Sequence, residues 1–125
     1  MDALIVFVGG GLGALFRHLI NGIAARYAWI EFPFHTLFIN VSGSLVMGIV
    51  IEFAALKTGM STQLRLFLAT GILGGYTTFS TFSLEVAVLH GRGETGLAVL
   101  YVLLSVALGV GGLFAGMSAT RALLA

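Results

Sequence analysis

The stretch Gly71–Glu85 (GILGGYTTFSTFSLE) combines a glycine pair, hydroxyl residues and two phenylalanines inside an otherwise apolar segment. Its hydroxyl residues are Thr77, Thr78, Ser80, Thr81 and Ser83. Hydroxyl groups can donate hydrogen bonds to anions, and irregular backbone can hold ions through its carbonyl and amide groups. This combination is typical of an ion-binding or permeation site rather than of a lipid-facing helix.

Two phenylalanines in this stretch, Phe79 and Phe82, are three residues apart and therefore lie near one face of a helix. Thr78, Thr81 and Glu85 form a polar stripe beside them. Paired phenylalanines most often pack in a protein core or face lipid. Their polar neighbours favour another role, in which positive ring edges and hydroxyl donors line a dry path for a small anion.

A second polar stripe recurs every four residues at Thr36, Asn40, Ser44 and Gly48, and so follows one helix face. Asn40 is its most informative member, because its amide offers two donors and an acceptor near the middle of a hydrophobic segment. The amide could form an interhelical hydrogen bond or bind a ligand, and the stripe alone is compatible with both roles.

Arg17 lies well inside the first hydrophobic segment, where a charge is costly and usually faces a partner or a watery cavity. It could line an electropositive vestibule that gathers anions, or its long side chain could extend to the lipid headgroups. Glu52 lies near the end of the second segment, where we expect a solvated side chain.

The composition places these residues in a membrane protein. Of 125 residues, 58% are hydrophobic and 9% are charged, whereas soluble domains have roughly 45–50% apolar and roughly 25% charged residues. A spanning helix needs roughly 20 mostly apolar residues. We therefore expect one all-α membrane domain, residues 1–125, with spans at about residues 3–23, 34–56, 64–90 and 95–119. The net charge of +1 indicates no nucleic-acid partner, and the absence of cysteine excludes thiol chemistry.

Glycines predict how these spans are packed and interrupted. Gly9 and Gly13 are one helical turn apart, which favours close helix packing. The surrounding letters also match a dinucleotide-binding pattern, but the strand that this pattern requires is missing. In the third span, Gly74 and Gly75 precede a run of hydroxyl residues, which predicts a helix broken in mid-membrane.

The positive charges of the loops are nearly balanced between the two sides of the membrane. One side would carry Lys57, Arg65 and Arg121, and the other Arg26 and Arg92. This difference is too small to fix an orientation by the positive-inside rule. We expect insertion in both orientations, which would allow an antiparallel homodimer within the lipid bilayer. Four short helices enclose no wide pore, so assembly is expected in any case.

Three blocks of the sequence resemble signatures of the Fluc (CrcB) family of fluoride channels: GGGLGALFRH, PFHTLFINVSGSLVMG and GGYTTFSTFSLE. The likeness extends over essentially the whole chain, and TTFSTFS between a glycine pair and Glu85 is its most specific part. The resemblance implies a four-helix, multi-pass protein of the bacterial inner membrane. Such a protein inserts in both orientations, forms an antiparallel homodimer and exports fluoride passively, which keeps cytoplasmic fluoride low.

The resemblance also implies roles for individual residues. The residues of the family's fluoride path match Asn40, Phe79, Phe82, Thr36, Tyr101 and Ser105, and we add Thr81 and Ser80 from the hydroxyl run beside the phenylalanines. A structural sodium ion at the dimer centre would be bound by the backbone carbonyls of Gly74 and Thr77 from both subunits. We place Arg17 and Glu85 at the vestibule.

Two positions depart from the family pattern. His35 stands where the family usually has glycine, and it could change the response of the vestibule to pH. Gly109 stands where the family has a hydroxyl residue in the fourth span, so the far end of the ion path is left open.

A small dual-topology multidrug or proton-coupled exporter is the main alternative, because it shares the size and the dual insertion. It would need a titrating carboxylate deep in the membrane, whereas Glu52 and Glu85 both lie toward span ends. A non-transporting assembly subunit is a third class, which the hydroxyl residues, Asn40 and the paired phenylalanines disfavour. The sequence lacks a nucleophile–base pair and a metal-ligand cluster, so we do not expect an enzyme.

Overall fold

The computed structural model describes residues 1–26, 31–56 and 59–124, and all regular structure in these ranges is helical. The helices are α1 (Asp2–Arg26), α2 (Phe34–Leu56), α3 (Thr62–Arg65), a π-helix (Leu66–Leu73), α4 (Gly74–Tyr76), α5 (Phe79–Gly91) and α6 (Thr95–Leu124). Four stretches are long and apolar enough to cross a membrane: α1, α2, the combined stretch Thr62–Gly91, and α6. The prediction of an all-α protein with four such helices is therefore confirmed. Lys57, which entered the charge balance of the loops, lies outside the described residues.

Local sequence determines where the third span begins and how it connects to α6. Ser61 caps α3, because its side chain accepts a hydrogen bond from the Leu64 N–H at 3.0 Å. After α5, Gly93 adopts a positive φ of 81°, a conformation that side chains with a Cβ rarely take. The Glu94 N–H then donates to the Leu89 carbonyl at 3.0 Å, which closes a short turn into α6.

Glycines on α1 allow it to lie directly against the π-helix and α4. A Cβ atom added at Gly9 would come within 2.8 Å of the Phe67 carbonyl oxygen, and one at Gly13 would collide with the Ile72 carbonyl oxygen. These neighbours are backbone atoms that cannot move aside like a flexible side chain. The predicted close-packing role of Gly9 and Gly13 is confirmed.

A second pair of helices, α2 and α6, is joined by small residues and by one ion pair. A Cβ atom at Gly48 would collide with the Leu113 carbonyl oxygen. Near the end of α2, the Arg121 Nε donates to Glu52 Oε1 at 2.9 Å, and Glu52 is only 5% exposed. The expectation of a solvated Glu52 is wrong. The helix α6 continues past the expected end of the fourth span to Leu124, and this extension places Arg121 beside Glu52.

Two small clusters of buried apolar side chains form the interior of the described structure. Phe82, Leu89, Ala98 and Tyr101 pack where α5 meets α6, and Val50, Ala69 and Leu73 pack where α2 meets the third span. Many large apolar side chains are instead exposed on the outside of the helices. Such a surface must contact lipid or another protein.

The packing of α1 predicts that Gly13→Ala lowers stability, because the new methyl group meets an immobile carbonyl oxygen. We expect the free energy of unfolding to fall by about 1–3 kcal/mol, as for overpacked cores. Thermal unfolding in detergent, followed by size-exclusion chromatography, measures the change. The matched control is Gly11→Ala on the same helix, where nothing lies within 4 Å of the added Cβ. Equal losses for both variants would contradict the packing interpretation.

Candidate functional site

The backbone leaves the helical conformation at Thr77 and Thr78, between α4 and α5. We call these two residues the interruption. Thr77 has φ −77° and ψ 157°, and Thr78 has φ −149° and ψ 120°, both extended. The Asn40 side chain on α2 satisfies this irregular backbone in both directions. Its Nδ2 donates to the Thr78 carbonyl oxygen at 2.9 Å, and its Oδ1 accepts from the Thr78 N–H at 2.8 Å.

This pairing bears on the two roles that the sequence left open for Asn40. The amide makes an interhelical hydrogen-bonded pair that uses its oxygen and one of its two donor hydrogens. The second hydrogen of Nδ2 is available to a ligand. The two roles are therefore compatible in one side chain.

The hydrogen bonds around the interruption divert two amide groups from the carbonyls that they would reach in a continuous helix. In such a helix, the Thr78 N–H would donate to the Gly74 carbonyl, and the Thr81 N–H to the Thr77 carbonyl. Here the Thr78 N–H donates to Asn40, and the Thr81 N–H donates to Thr78 Oγ1 at 3.2 Å. The carbonyl oxygens of Gly74 and Thr77 therefore do not accept the amide hydrogen bonds that a continuous helix would give them.

A groove of about 380 Å³ lies beside the interruption, between α2, α5 and α6. It brings together four of the predicted path residues, which are Asn40, Phe79, Phe82 and Ser105. The Ser105 hydroxyl is buried and has no hydrogen-bond partner within the described ranges. An unsatisfied buried hydroxyl costs about 1–3 kcal/mol, so Ser105 is well suited to donate to a bound anion.

The two phenylalanines occupy different environments in this groove. Phe82 is 8% exposed, whereas Phe79 is 79% exposed, and their ring centroids are 5.5 Å apart. The Phe82 ring meets the Tyr101 ring in a T-shaped contact with centroids 5.0 Å apart. Phe82 is therefore fixed by its neighbours, while the groove is open on the side of Phe79.

Beyond Phe82, a second cavity of about 280 Å³ is formed where α5 approaches the start of α2, and we call it the mouth cavity. It is lined by Glu31, Pro33, His35, Leu84, Glu85, Val88, Leu89 and Arg92. The buried Tyr101 hydroxyl donates to Glu85 Oε1 at 3.3 Å, and the Thr36 hydroxyl is within hydrogen-bonding reach of both groups. Thr36, Glu85 and Tyr101 therefore form one polar cluster, which the Phe82 ring separates from the groove.

Three predicted site residues line neither cavity and belong neither to the polar cluster nor to the pair of carbonyl groups at Gly74 and Thr77 in a single copy of the chain. Arg17 is partly buried on α1 and lines neither the groove nor the mouth cavity. Ser80 is exposed, and Thr81 is partly buried without lining the groove. Their predicted roles stay predictions, because the described structure does not test them.

Sequence reasoning missed several residues that shape the site. A Cβ atom at Gly43 would collide with the Thr77 side chain, so glycine is needed there for α2 to approach the interruption. The Ser42 and Tyr76 hydroxyls are 3.0 Å apart and tie α2 to the end of α4. The small residues Ser42, Gly43 and Ser44, which begin two positions after Asn40, were a signal for this contact. Arg92 was assigned only to the charge balance of the loops, and Glu31 could have been recognised as a charge that precedes the second span.

Side-chain metal centres are absent from the described part of the chain. No group of three or more His, Cys, Asp or Glu residues could hold a metal ion within residues 1–26, 31–56 and 59–124.

This chain is similar to known proteins over nearly its whole length. Residues 4–117 match the family described as CrcB-like protein, Camphor Resistance (CrcB). A protein of Rhodopseudomonas palustris (strain BisB5) is 61% identical over 123 residues, covering 98% of this chain and 99% of that protein. A protein of Beijerinckia indica subsp. indica is 57% identical over 124 residues, covering 98% of each chain. A protein of Nitrobacter hamburgensis is 55% identical over 121 residues, covering 97% of this chain and 98% of that protein. The first two are named fluoride-specific ion channel FluC, and the third fluoride-specific ion channel FluC 2.

The pairing of Asn40 with Thr78 predicts that Asn40→Asp destabilises the fold. The carboxylate keeps the acceptor for the Thr78 N–H but places an oxygen against the Thr78 carbonyl, where the amide donated. We expect the free energy of unfolding to fall by about 1–3 kcal/mol, measured by thermal or denaturant unfolding in detergent. Ser44→Ala, one turn further along the same groove, is the control and should unfold as the native chain does. If Asn40→Asp unfolded at the same temperature as this control, the pair would not stabilise the interruption.

Proposed function

This chain belongs to the CrcB family, and we propose that it is a fluoride-selective ion channel that lets fluoride leave the cytoplasm passively. It is a multi-pass membrane protein with a transport function rather than an enzyme. The observation that carries the proposal is the groove in which Asn40 and Phe82 meet the Ser105 hydroxyl, which has no hydrogen-bond partner in the described part of the chain. The names of relatives that cover nearly the whole chain support the same conclusion.

Fluoride is small and strongly hydrated, so a path for it must replace bound water with hydrogen-bond donors. The second Nδ2 hydrogen of Asn40 and the Ser105 hydroxyl are two such donors in the groove. The positive ring edges of Phe79 and Phe82 add weaker attraction without a fixed charge. Several modest sites of this kind would let the ion enter and leave, whereas one deep site would trap it.

We propose that the interruption at Thr77 and Thr78 lies in mid-membrane. The two residues occupy the sixteenth and seventeenth positions of the 30-residue stretch Thr62–Gly91, close to its middle. Backbone outside a helix is tolerated at that depth only where protein or water satisfies it. The Asn40 amide forms hydrogen bonds with both the N–H and the carbonyl oxygen of Thr78.

We propose that the channel is an antiparallel homodimer with dual topology. In one copy the groove is open on the side of Phe79, which is 79% exposed, and Gly74 of α4 is exposed as well. A second copy would close this open side. The small charge difference between the loops supports insertion in both orientations, and an interruption near mid-span would lie at the same depth in both copies.

We propose that a structural sodium ion is bound at the dimer centre by the Gly74 and Thr77 carbonyl oxygens of both copies. The residues fit such an ion, because the amides of Thr78 and Thr81 are directed away from these two oxygens. Unwound backbone carbonyls are suitable sodium ligands at membrane depth. When bound, the ion would supply positive charge that offsets the cost of an anion in a low dielectric. Asn40 and Thr78 would hold the carbonyls in place.

A proton-coupled or multidrug exporter is less well supported than a channel. The two carboxylates that it would use already contact other side chains. Glu52 is ion-paired with Arg121 at 2.9 Å near the end of α2. Glu85 contacts Tyr101 and His35 at the mouth cavity. Neither carboxylate lies in the groove beside the interruption.

Fluoride efflux from liposomes tests the proposed path through Ser105→Ala. Loss of a hydrogen bond to a charged group costs about 1.5–3 kcal/mol, so we expect the initial rate to fall about tenfold or more. A fluoride electrode records the efflux, with a potassium ionophore to balance charge. Ser118→Ala, on an exposed part of α6, is the matched control and should conduct like the native chain.

Two outcomes of this assay would contradict the account at different levels. Equal rates for Ser105→Ala and Ser118→Ala would remove Ser105 from the path. Absence of fluoride efflux from the native protein would contradict the channel function itself.

Replacing sodium tests the cation proposal. In buffers where a bulky organic cation such as N-methylglucamine replaces sodium, we expect a smaller dimer fraction and slower fluoride efflux, because carbonyl oxygens would face one another without a cation. Size-exclusion chromatography and the liposome assay measure the two effects. Indifference of both to sodium would contradict a site at Gly74 and Thr77.

A further inference from the structure

His35 lies at the start of α2 and separates two cavities of different character. On one side is the mouth cavity, and on the other is an apolar groove of about 870 Å³ between α1 and α2. The His35 Nε2 is 3.5 Å from Glu85 Oε2, and both side chains are partly buried. The imidazole is therefore the basic group in direct contact with the carboxylate of the mouth cavity.

Glu85 connects this contact to the proposed ion path. Its other oxygen, Oε1, accepts from the Tyr101 hydroxyl at 3.3 Å. The Tyr101 ring packs on Phe82, which lines the groove with Asn40 and Ser105. An anion in the mouth cavity lies close to the Glu85 carboxylate, which lines that cavity. A negative charge there would repel it at short range, where screening by salt is weak.

The charged and titratable groups around His35 come from each neighbouring element. The mouth cavity presents Glu31 from the segment before α2, Glu85 from α5 and Arg92 from the turn after α5, and Tyr101 on α6 lies behind Glu85. The α1 residues that line the opposite cavity are Ile20, Ile23 and Ala24, all apolar. Among these types of side chain, imidazole is the one that ordinarily changes charge between about pH 5 and pH 8. Its Nδ1 is buried and has no hydrogen-bond partner within the described residues.

We propose that His35 is a positioning residue that makes fluoride entry through the mouth cavity depend on pH. When protonated, it forms an ion pair with Glu85 that holds the carboxylate against Tyr101 and neutralises its charge. When neutral, it leaves a net negative charge beside the path. Fluoride therefore enters faster at acidic than at alkaline pH. This inference depends on the proposed fluoride conduction.

The rate of fluoride efflux as a function of pH tests the inference. Between about pH 8 and about pH 5 we expect the native rate to rise at least about threefold, since charge at a narrow entrance changes association rates strongly. Protein-free liposomes at each pH measure the leak of hydrogen fluoride, which is subtracted. His35→Gln should give a flat profile at a low rate, because its amide cannot carry charge. His35→Lys should give a flat profile at a high rate, since it stays charged throughout.

The possible results separate this inference from the function on which it depends. A native profile as flat as that of His35→Gln would overturn the inference and leave fluoride conduction intact. A slope that persists in His35→Gln would also overturn it. No fluoride efflux from the native protein at any pH would overturn the proposed function, and the inference with it.

A measurement without ion flux tests the pair directly. Nitrogen NMR of the histidine side chains in detergent, assigned with His18→Gln and His90→Gln variants, gives the titration midpoint of His35. In Glu85→Gln the titration curve of His35 should differ from that of the native chain, because the imidazole no longer faces a carboxylate. An unchanged curve would show that the two side chains do not interact, and would overturn the inference whatever the flux.

Discussion

The hydrogen-bonded pair between the Asn40 amide and the Thr78 backbone is the interaction on which the rest of the site depends. An apolar span that leaves the helical conformation exposes backbone groups, and each one left unsatisfied in lipid costs several kcal/mol. Asn40 satisfies both the N–H and the carbonyl of Thr78 at 2.8 and 2.9 Å. Because the Thr78 N–H is taken by Asn40, it does not donate to the Gly74 carbonyl, and α5 begins at Phe79. One side chain thus accounts for both the diverted Thr78 amide and the place where the next helix starts.

The remaining helices hold this pair in place through glycine contacts. Gly9 and Gly13 let α1 lie against the backbone of the π-helix, and Gly43 lets α2 approach Thr77 closely. A π-helix is wider than an α-helix, and such segments are frequent at functional sites. Here the π-helix leads directly into α4 and the interruption. Close contact on two sides, with the backbone of α1 on one and with Gly43 of α2 against the Thr77 side chain on the other, explains how an irregular segment can keep one geometry without a large apolar interior.

Much of this arrangement could be predicted from the sequence because its periodicities are simple. The lengths of the apolar runs predict four spans, and the four-residue stripe through Asn40 predicts a polar helix face. The partner of Asn40 could not be predicted, because Thr78 is 38 residues away and its contact depends on how the helices pack. The same reason applies to Glu52, whose ion pair with Arg121 spans 69 residues. The surroundings of the Ser105 hydroxyl could not be predicted either, because they depend on how α2 and α5 pack against α6.

The central claim is that the donors and ring edges beside Asn40 form a path that accepts fluoride in preference to larger anions. Liposomes that contain the native protein and hold equal concentrations of fluoride and chloride test it most directly. Ion-selective electrodes follow both anions after a potassium ionophore permits charge balance. The account predicts that the fluoride gradient dissipates while chloride stays trapped. Equal release of both anions would contradict it.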